Sequence, residues 1–155
     1  MIQARRIGAE DWALWRELRL GALADAPDAF GTTLEESLAR DTEEHWRAGV
    51  TDPMVPFVVD VDGVPAAMGR LLVGESDTEL ISFWVAPEAR GRGAGRALLA
   101  AAAEHHAAHL ADTRLPLAVV ETNTPARRLY DSSGYVVIGP NPEDDAELLM
   151  EHRPS

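Results

Sequence analysis

A loop of alternating arginines and glycines follows a short apolar stretch in the middle of the chain. The apolar residues 80–85 are stopped by Ala86 and Pro87, and an alanine- and leucine-rich stretch begins at Ala94. This order predicts a strand, a glycine-rich loop and a helix. Glycine carries no Cβ, so three glycines at alternate positions let the backbone approach a ligand closely. The loop consists of Arg90, Gly91, Arg92, Gly93, Ala94, Gly95 and Arg96.

The loop has the properties of a diphosphate-binding site. Its backbone N–H groups lie at the predicted N-terminus of a helix, where unpaired donors and the helix dipole favour an anion. The side chains of Arg90, Arg92 and Arg96 add guanidinium groups whose geometry suits phosphate. The alternative is a glycine-rich turn that only joins the strand to the helix.

Two common phosphate-binding motifs do not fit this loop. A Walker loop ends in Gly-Lys-Ser or Gly-Lys-Thr, and all 14 of the Lys and Arg residues are arginine. The dinucleotide motif needs glycines spaced G-x-G-x-x-G. Its last place is Arg96 when the motif starts at Gly91, and Leu98 when it starts at Gly93. The sequence therefore argues against an ATP- or NAD-binding loop.

The pattern Arg90-x-x-Gly93-x-Gly95 resembles the acyl-CoA pyrophosphate loop of the GCN5-related N-acetyltransferases, the GNAT family. The surrounding residues 84–99 are similar to that family over their whole length. The resemblance implies that residues 90–96 bind the diphosphate of acetyl-CoA.

The resemblance also assigns roles to the end of the strand before the loop. In the family this strand splays from its neighbour, which leaves main-chain groups free to bond the acetyl carbonyl and the pantetheine. Trp84 and Val85 are therefore expected among the cofactor-binding residues. The backbone N–H of Val85 would polarise the thioester, an effect worth a few kcal/mol in enzymes generally.

A second stretch, residues 123–135, resembles the family pattern Asn-x-x-Ala-x-x-Leu-Tyr-x-x-x-Gly-Phe/Tyr. The resemblance implies that Asn123 contacts the pantetheine arm or an ordered water, and that Tyr130 protonates the leaving thiolate. A phenol with a pKa of about 10 is neutral at pH 7 and has a proton to give. The alternatives are a core role for Tyr130 and a helix-cap role for Asn123.

Glu79 is a candidate general base. It lies six residues before Val85, where the histone-acetylating branch of the family has a glutamate base. A base is needed because an amine attacks a thioester only when it is unprotonated. The alternatives are a charged residue at the start of an exposed strand, and a base made of water alone.

His105, His106 and His109 suggest a metal site, because His105 and His109 lie four apart on one helix face. The chain has no H-E-x-x-H motif and no suitably spaced third carboxylate, and zinc sites need such a ligand set. We therefore interpret the three histidines as a solvated helix end and predict no metal.

Composition limits the class of protein. With 155 residues, we expect a single N-acetyltransferase domain over residues 1–155. The absence of cysteine excludes disulfides and thiolate catalysis. The net charge of −12 argues against nucleic acid partners and slightly favours cationic ones. No apolar run is long enough for a membrane span and the N-terminus lacks a signal peptide, so we expect a cytoplasmic protein.

The remaining segments predict the elements that position these residues. The order β-α-α-β-β-β-α-β-α-β-β predicts an α+β single domain with a mixed, mostly antiparallel sheet flanked by helices, which is the order expected of the family. The predicted strands are 2–7, 57–61, 64–73, 79–85, 115–120, 135–138 and 146–150. Four helices are predicted. The first starts near Ala9, the second covers 33–48, the third covers 94–110, and the fourth starts at Thr124 as its N-cap.

The sequence therefore predicts an N-acetyltransferase that transfers the acetyl group of acetyl-CoA to a primary amine by direct attack in a ternary complex. The acceptor is a small molecule or a peptide: amino acid, polyamine, aminoglycoside, protein N-terminus and protein lysine all remain open. Four aromatic residues of the first two helices are candidates for the acceptor pocket: Trp12, Trp15, Phe30 and Trp46. The alternative is a non-catalytic acyl-CoA-binding sensor or regulatory domain. Homodimers are frequent in the family.

Overall fold

Seven strands and five helices occur in residues 1–154, the part of the chain that the computed structural model describes. The strands are β1 (Ile2–Arg6), β2 (Met54–Val61), β3 (Val64–Val73), β4 (Thr78–Val85), β5 (Pro116–Val120), β6 (Tyr135–Asn141) and β7 (Asp144–His152). The helices are α1 (Trp12–Asp25), α2 (Leu34–Ala39), α3 (Glu43–Ala48), α4 (Ala94–His109) and α5 (Thr124–Ser132). The predicted α+β class is confirmed.

The strands form two sheets that meet at one place. In the first sheet β1, β2, β3 and β4 are neighbours in that order, and in the second β7 lies between β5 and β6. Every pairing within the two sheets is antiparallel. β4 and β5 run parallel and are joined at their beginnings, where Thr78 N donates to Arg114 O (2.7 Å) and Arg114 N donates to Ser76 O (2.9 Å). From this closed end the two strands separate into different sheets.

A bulge interrupts β4 halfway along its length. The register between β3 and β4 shifts between Met68 and Arg70, and Ser82 has a φ of 59°. A positive φ is costly for a residue with a side chain, and a bulge bends and twists the strand that carries it. The second half of β4, which ends at Val85, is thereby turned relative to the first half.

The first sheet is covered on both faces, because consecutive strand residues point to opposite sides. Phe57 belongs to the apolar cluster that includes Leu98 of α4. Its neighbour Val58 belongs to the cluster that includes Trp15 of α1 and Trp46 of α3. α4 therefore covers one face of the sheet, and α1 and α3 cover the other.

Residues 33–48 form two helices, α2 and α3, so the prediction of one continuous helix was wrong. The hydroxyl of Thr33 accepts a hydrogen bond from Glu36 N (3.1 Å), and the hydroxyl of Thr42 accepts one from His45 N (3.2 Å). Each threonine caps a helix start by satisfying one of its free amide donors. The second cap falls in the middle of the segment and lets the chain turn there.

Asp41 links the turn between α2 and α3 to α1. Its carboxylate accepts two hydrogen bonds from the guanidinium of Arg16 (2.7 Å each) and one from the indole N–H of Trp46 (2.8 Å). The Arg16 guanidinium and then the Trp46 indole hold the pKa of this carboxyl well below its usual range. The interaction fixes Trp46 over the core.

The last two strands are longer than predicted, and Pro140 lies within β6 instead of in the loop that follows it. β6 is an edge strand, and an edge tolerates a residue that lacks an N–H donor. No helix of residues 1–154 is long and apolar enough to cross a membrane.

Thr78→Val tests the side-chain contribution to the closed end. Thr78 is fully buried, and its hydroxyl lies 2.8 Å from that of Thr113, which itself donates to Leu110 O (2.7 Å). Valine keeps the shape but removes the donor, so the free energy of unfolding should fall by about 1 kcal/mol. Urea denaturation measures the change. Thr122→Val, at an exposed turn, is the control, and an equal effect in the two variants would contradict the assignment.

Candidate functional site

The open end between β4 and β5 is the place where the predicted site residues meet. The glycine loop follows the end of β4, and α5 follows the end of β5. α5 approaches β4 through the rings of Tyr130 and Phe83, whose centroids are 5.7 Å apart. Because the two sheets share no pairing here within residues 1–154, the edges of both strands face the gap.

The glycine loop presents a continuous row of free amides. Gly91 and Gly93 have φ values of 77° and 95°, which L side chains rarely adopt, and Gly93 is the residue that precedes α4. The first amide of the helix with a partner is that of Ala97, which donates to Gly93 O (3.0 Å). Within residues 1–154, the six amides of residues 91–96 have no protein acceptor. Such a row, at the positive end of a helix dipole, is a binding site for an anion.

Gly95 allows the start of α4 to lie close to both β4 and α5. A Cβ at this position would lie 3.0 Å from Leu129 Cδ2 and 3.2 Å from the ring of Phe83. The glycine is therefore required by packing, whereas Gly91 and Gly93 are required by backbone conformation.

Arg90 is tied to the end of β4 and to α1. Its Nε donates to Val85 O (3.0 Å), and its Nη2 donates to the carboxylate of Asp25 (2.5 Å). The same carboxylate accepts the indole N–H of Trp84 (2.9 Å). The Trp84 indole and then the Arg90 guanidinium lower the pKa of Asp25. This network holds the loop against the strand.

The other two arginines of the loop also contact protein groups. Arg92 forms an ion pair with Asp62 in the turn between β2 and β3 (2.9 Å), and Arg96 donates to the hydroxyl of Ser132 (3.2 Å). All three guanidinium groups therefore have protein partners in this structure, and the free donors of the loop are its backbone amides.

The backbone carbonyl of Val85 has a protein partner, whereas its N–H is free within residues 1–154. The next amide, of Ala86, donates to Ala66 O of β3 (2.8 Å). Successive amides of a strand point to opposite edges, so the N–H of Val85 faces away from β3, towards the gap. Its carbonyl accepts from Arg90, so among the described residues the N–H is the backbone group of Val85 that remains free.

Tyr130 lies under the open end. Its side chain is buried, and its ring packs between Phe83 and Tyr135, with centroid separations of 5.7 and 5.8 Å. Burial raises the pKa of the phenol well above its ordinary value. The phenol is therefore protonated at neutral pH.

Asn123, and not Thr124, is the N-cap of α5, so the predicted cap was wrong by one residue. The side-chain oxygen of Asn123 accepts from Ala126 N (3.3 Å). Pro125 follows in the first turn, where its missing N–H costs nothing. The cap fixes the start of α5. It thus fixes the position of Tyr130 along that helix.

Glu79 lies near the closed end and not beside Val85. It is the second residue of β4, six residues or about 20 Å of extended strand from Val85. Burial, followed by the neighbouring carboxylates of Glu143 and Glu147, raises its pKa. A raised pKa suits a base that works near neutral pH, but the structure brings no other candidate residue into contact with Glu79.

The three histidines are near one another without forming a metal site. The ring centroids of His105 and His109 are 4.8 Å apart, and His106 Nε2 lies 2.8 Å from Thr113 O. Within residues 1–154 no three His, Asp or Glu side chains are grouped so that they could hold a metal.

A cavity of about 350 Å³ lies on the other face of the first sheet, under α1, α2 and α3. Trp15 and Trp46, two of the candidates for the acceptor pocket, line it. Trp12 lines a separate surface cleft of about 510 Å³ instead. The cavity also contains Arg19 and Arg70, which the sequence analysis did not single out. The sequence signal that could have pointed to them is a charged residue in an apolar context: Arg19 lies on an otherwise apolar face of α1, and Arg70 lies in the otherwise apolar strand β3.

Comparison with known proteins assigns the family. The family described as "Acetyltransferase (GNAT) family" matches residues 15–135, so the chain belongs to the GNAT family. The acetyltransferase of GNAT family from Streptococcus pneumoniae has the same fold, with a TM-score of 0.79 and 19% identity over 100% of both chains. The PaiA N-acetyltransferase from Thermoplasma acidophilum, solved in complex with coenzyme A, has a TM-score of 0.74 and 16% identity over 99% of both chains.

Curated relatives are similar to most of this chain. A mycothiol acetyltransferase of Beutenbergia cavernae is 33% identical over 133 residues, which are 84% of this chain and 42% of the relative. A mycothiol acetyltransferase of Acidothermus cellulolyticus is 34% identical in an alignment of 153 positions that covers 86% of this chain and 44% of the relative. The chain thus spans less than half the length of these relatives.

Gly95→Ala and Gly21→Ala are a matched pair that tests the close packing of the loop. At Gly21, inside α1, a Cβ would lie 3.6 Å from the Trp84 ring, an ordinary contact, so alanine should stabilise the fold by about 0.5–1 kcal/mol. At Gly95 the contacts of 3.0 and 3.2 Å should make alanine destabilising by about 1–3 kcal/mol. Chemical denaturation measures both. Stabilisation by Gly95→Ala would contradict the packing argument.

Proposed function

We propose that this protein is an N-acetyltransferase that transfers the acetyl group of acetyl-CoA to a primary amine by direct attack in a ternary complex. The observation that carries the proposal is the row of six amides, residues 91–96, without a protein acceptor in the described part of the chain. The row opens beside the gap between β4 and β5. A diphosphate offers two adjacent anionic groups to such a row.

The residues at the gap fit this cofactor. The glycine loop admits a ligand against its backbone, since nothing lies within 4 Å of a Cβ built at Gly91. The N–H of Val85 faces the gap and supplies a donor for the acyl carbonyl. Family membership supports the same assignment.

When bound, acetyl-CoA supplies the acyl group: the amine nitrogen forms a C–N bond with the acetyl carbon, the C–S bond breaks, and the products are an acetamide and coenzyme A. Tyr130 holds the proton that the departing sulfur needs, because burial keeps the phenol neutral far above pH 7. Glu79 lies about 20 Å of strand from Val85, so we assign the proton that the amine loses to water, and Glu79 would receive it only through a chain of waters.

The main alternative is a non-catalytic acyl-CoA-binding sensor, which would share the loop but release no coenzyme A. The position of Tyr130 favours the enzyme, because its ring packs against Phe83 of β4 beside the gap and its phenol is neutral, so it holds a proton for a departing thiolate. A nucleotide-binding regulatory domain is disfavoured by the absence of lysine and by the failed dinucleotide spacing.

Arg90→Glu tests the cofactor site. The variant replaces a positive charge at the loop by a negative one and breaks the link to Asp25 and Val85 O, so coenzyme A should bind about tenfold or more weakly. Isothermal titration calorimetry with coenzyme A measures the affinity. Arg114→Glu makes the same charge change at the closed end and should leave the affinity unchanged. Equal affinities in wild type and Arg90→Glu would remove the argument for this loop.

Turnover is tested by coenzyme A release from acetyl-CoA with a panel of amines, in wild type and in Tyr130→Phe. Wild type should release coenzyme A with at least one amine class. The variant lacks the proton donor, so kcat should fall by about 100-fold, while calorimetry should give an unchanged affinity for coenzyme A. Release by neither protein would favour the sensor. Equal kcat values in the two proteins would refute the acid role of Tyr130.

A further inference from the structure

The cavity under α1, α2 and α3 carries positive charge in an acidic protein. The whole chain has a net charge of −12, yet two buried arginines, Arg19 of α1 and Arg70 of β3, line this cavity. Within residues 1–154 neither arginine belongs to an ion pair. The charge of the cavity lining is therefore opposite in sign to the net charge of the protein.

Arg19 has a donor that no described protein group satisfies. Its side chain is 8% exposed, and its Nη1 makes no hydrogen bond. The guanidinium lies over the ring of Phe30, 4.6 Å from the centroid. A cation–π contact compensates only part of the cost of removing a charge from water, and burying an unsatisfied charged donor is expensive. An anion in the cavity would compensate the charge of this guanidinium, which has no carboxylate partner among the described residues.

Arg70 is held in place by neutral groups. Its Nε donates to the hydroxyl of Ser82 (3.0 Å), its Nη1 donates to Gly49 O (2.8 Å), and its guanidinium lies over the ring of Trp15 at 5.4 Å. These contacts fix the orientation of the guanidinium but do not neutralise it. Burial, followed by the like charge of Arg19, lowers the pKa of Arg70 to about 10. The two arginines thus destabilise each other until an anion binds between them.

The cavity is connected to the proposed reaction site through Arg70. Its partner Ser82 is the bulged residue of β4, and Val85 lies three residues, or about 10 Å of strand, further on. A molecule anchored at Arg70 can therefore extend its other end along β4 towards the gap. The volume of about 350 Å³ suits a ligand at the small end of the usual range, and Trp15 and Trp46 supply apolar walls.

We propose that this cavity binds the acceptor and that Arg19 and Arg70 hold a carboxylate of it, so that the substrate is a small amino-carboxylate and not a polyamine. The proposal rests on the proposed function, because it assigns the acceptor of the same reaction. Carboxylate is the anion favoured by a pair of guanidinium groups in a small, partly apolar cavity, since it accepts two parallel hydrogen bonds from each planar fork. The carboxylate belongs either to the C-terminus of a short peptide or to a free amino acid that carries a second amine at the end of its side chain, because an α-amine adjoins its own carboxylate and cannot span this distance.

The test is a coenzyme A-release assay with matched acceptors: free amino acids, the corresponding amino acid amides, dipeptides and spermidine. Wild type should have a kcat/KM about 10- to 100-fold higher for a carboxylate than for its matched amide, and spermidine should be poorer than both. Activity with dipeptides would identify a peptide C-terminus as the source of the carboxylate. Activity with free amino acids but not with dipeptides would identify a free amino acid as the source.

Arg19→Gln and Arg70→Gln should each raise KM for the carboxylate by about the same 10- to 100-fold factor, so that the ratio of kcat/KM for carboxylate to kcat/KM for amide falls towards one. Turnover of the amide shows that each variant is folded. Arg47→Gln, on α3 outside the cavity lining, is the matched control and should retain the wild-type preference. Equal kcat/KM for carboxylate and amide in wild type, or a preference that persists in both variants, would overturn the proposal.

A failure of the proposed function is distinguished by calorimetry with N-acetyl amino acids, which carry the carboxylate and need no turnover. Binding to wild type that disappears in Arg19→Gln would support the carboxylate site even if no amine releases coenzyme A. Absence of binding to wild type, together with an absence of preference in the release assay, would reject the site itself.

Discussion

The parallel contact between β4 and β5 is confined to their first residues, and the rest of the site depends on this restriction. Two backbone hydrogen bonds, from Thr78 N to Arg114 O and from Arg114 N to Ser76 O, hold the two strands together at one end. Beyond that point each strand pairs only with its own sheet. Two strands that continued to pair would satisfy each other's backbone groups and leave no edge for a ligand. The separation keeps the N–H of Val85 free and lets α5 bring Tyr130 against Phe83.

Positive charge is used in two different ways in this protein. At the glycine loop the arginine side chains bond to Asp25, Asp62 and Ser132, and the free donors are backbone amides. In the cavity on the other face of the sheet, the guanidinium groups of Arg19 and Arg70 have no carboxylate partner within residues 1–154. The arginines of an exposed loop can exchange their protein partners for a ligand when it binds. A buried charge without a counter-ion, in contrast, lowers the stability of the fold until it is paired.

Burial acts in opposite directions on the acid and on the arginines. It raises the pKa of Tyr130, which keeps the phenol protonated, and it lowers the pKa of Arg70 to about 10, which still leaves the guanidinium charged near pH 7. In both residues desolvation disfavours the ionised form. The tyrosine is thus kept neutral as a proton donor, and the arginine remains a cation, because its ordinary pKa is high enough to absorb the shift.

The sequence by itself determined the element order, the glycine loop and the family, because these depend on local patterns. Glycines at alternate positions before a helix former, and hydrophobic periods of two and of about 3.6, are visible in a single chain. It missed the break between α2 and α3, since Thr42 caps a helix only when the chain turns around Asp41, which bonds to the distant Arg16. It also placed the cap of α5 one residue late, where Asn123 and Thr124 are both good caps.

Only the tertiary structure decided which side chains share a site. Arg19 and Arg70 are separated by about one-third of the chain, and no local pattern links them; packing α1 over the sheet places both in one cavity. Glu79 and Val85 are close in sequence, yet an extended strand places them at opposite ends of β4. Sequence distance sets the path of the backbone, but the contacts that make a site are formed between elements brought together by burial of apolar surface.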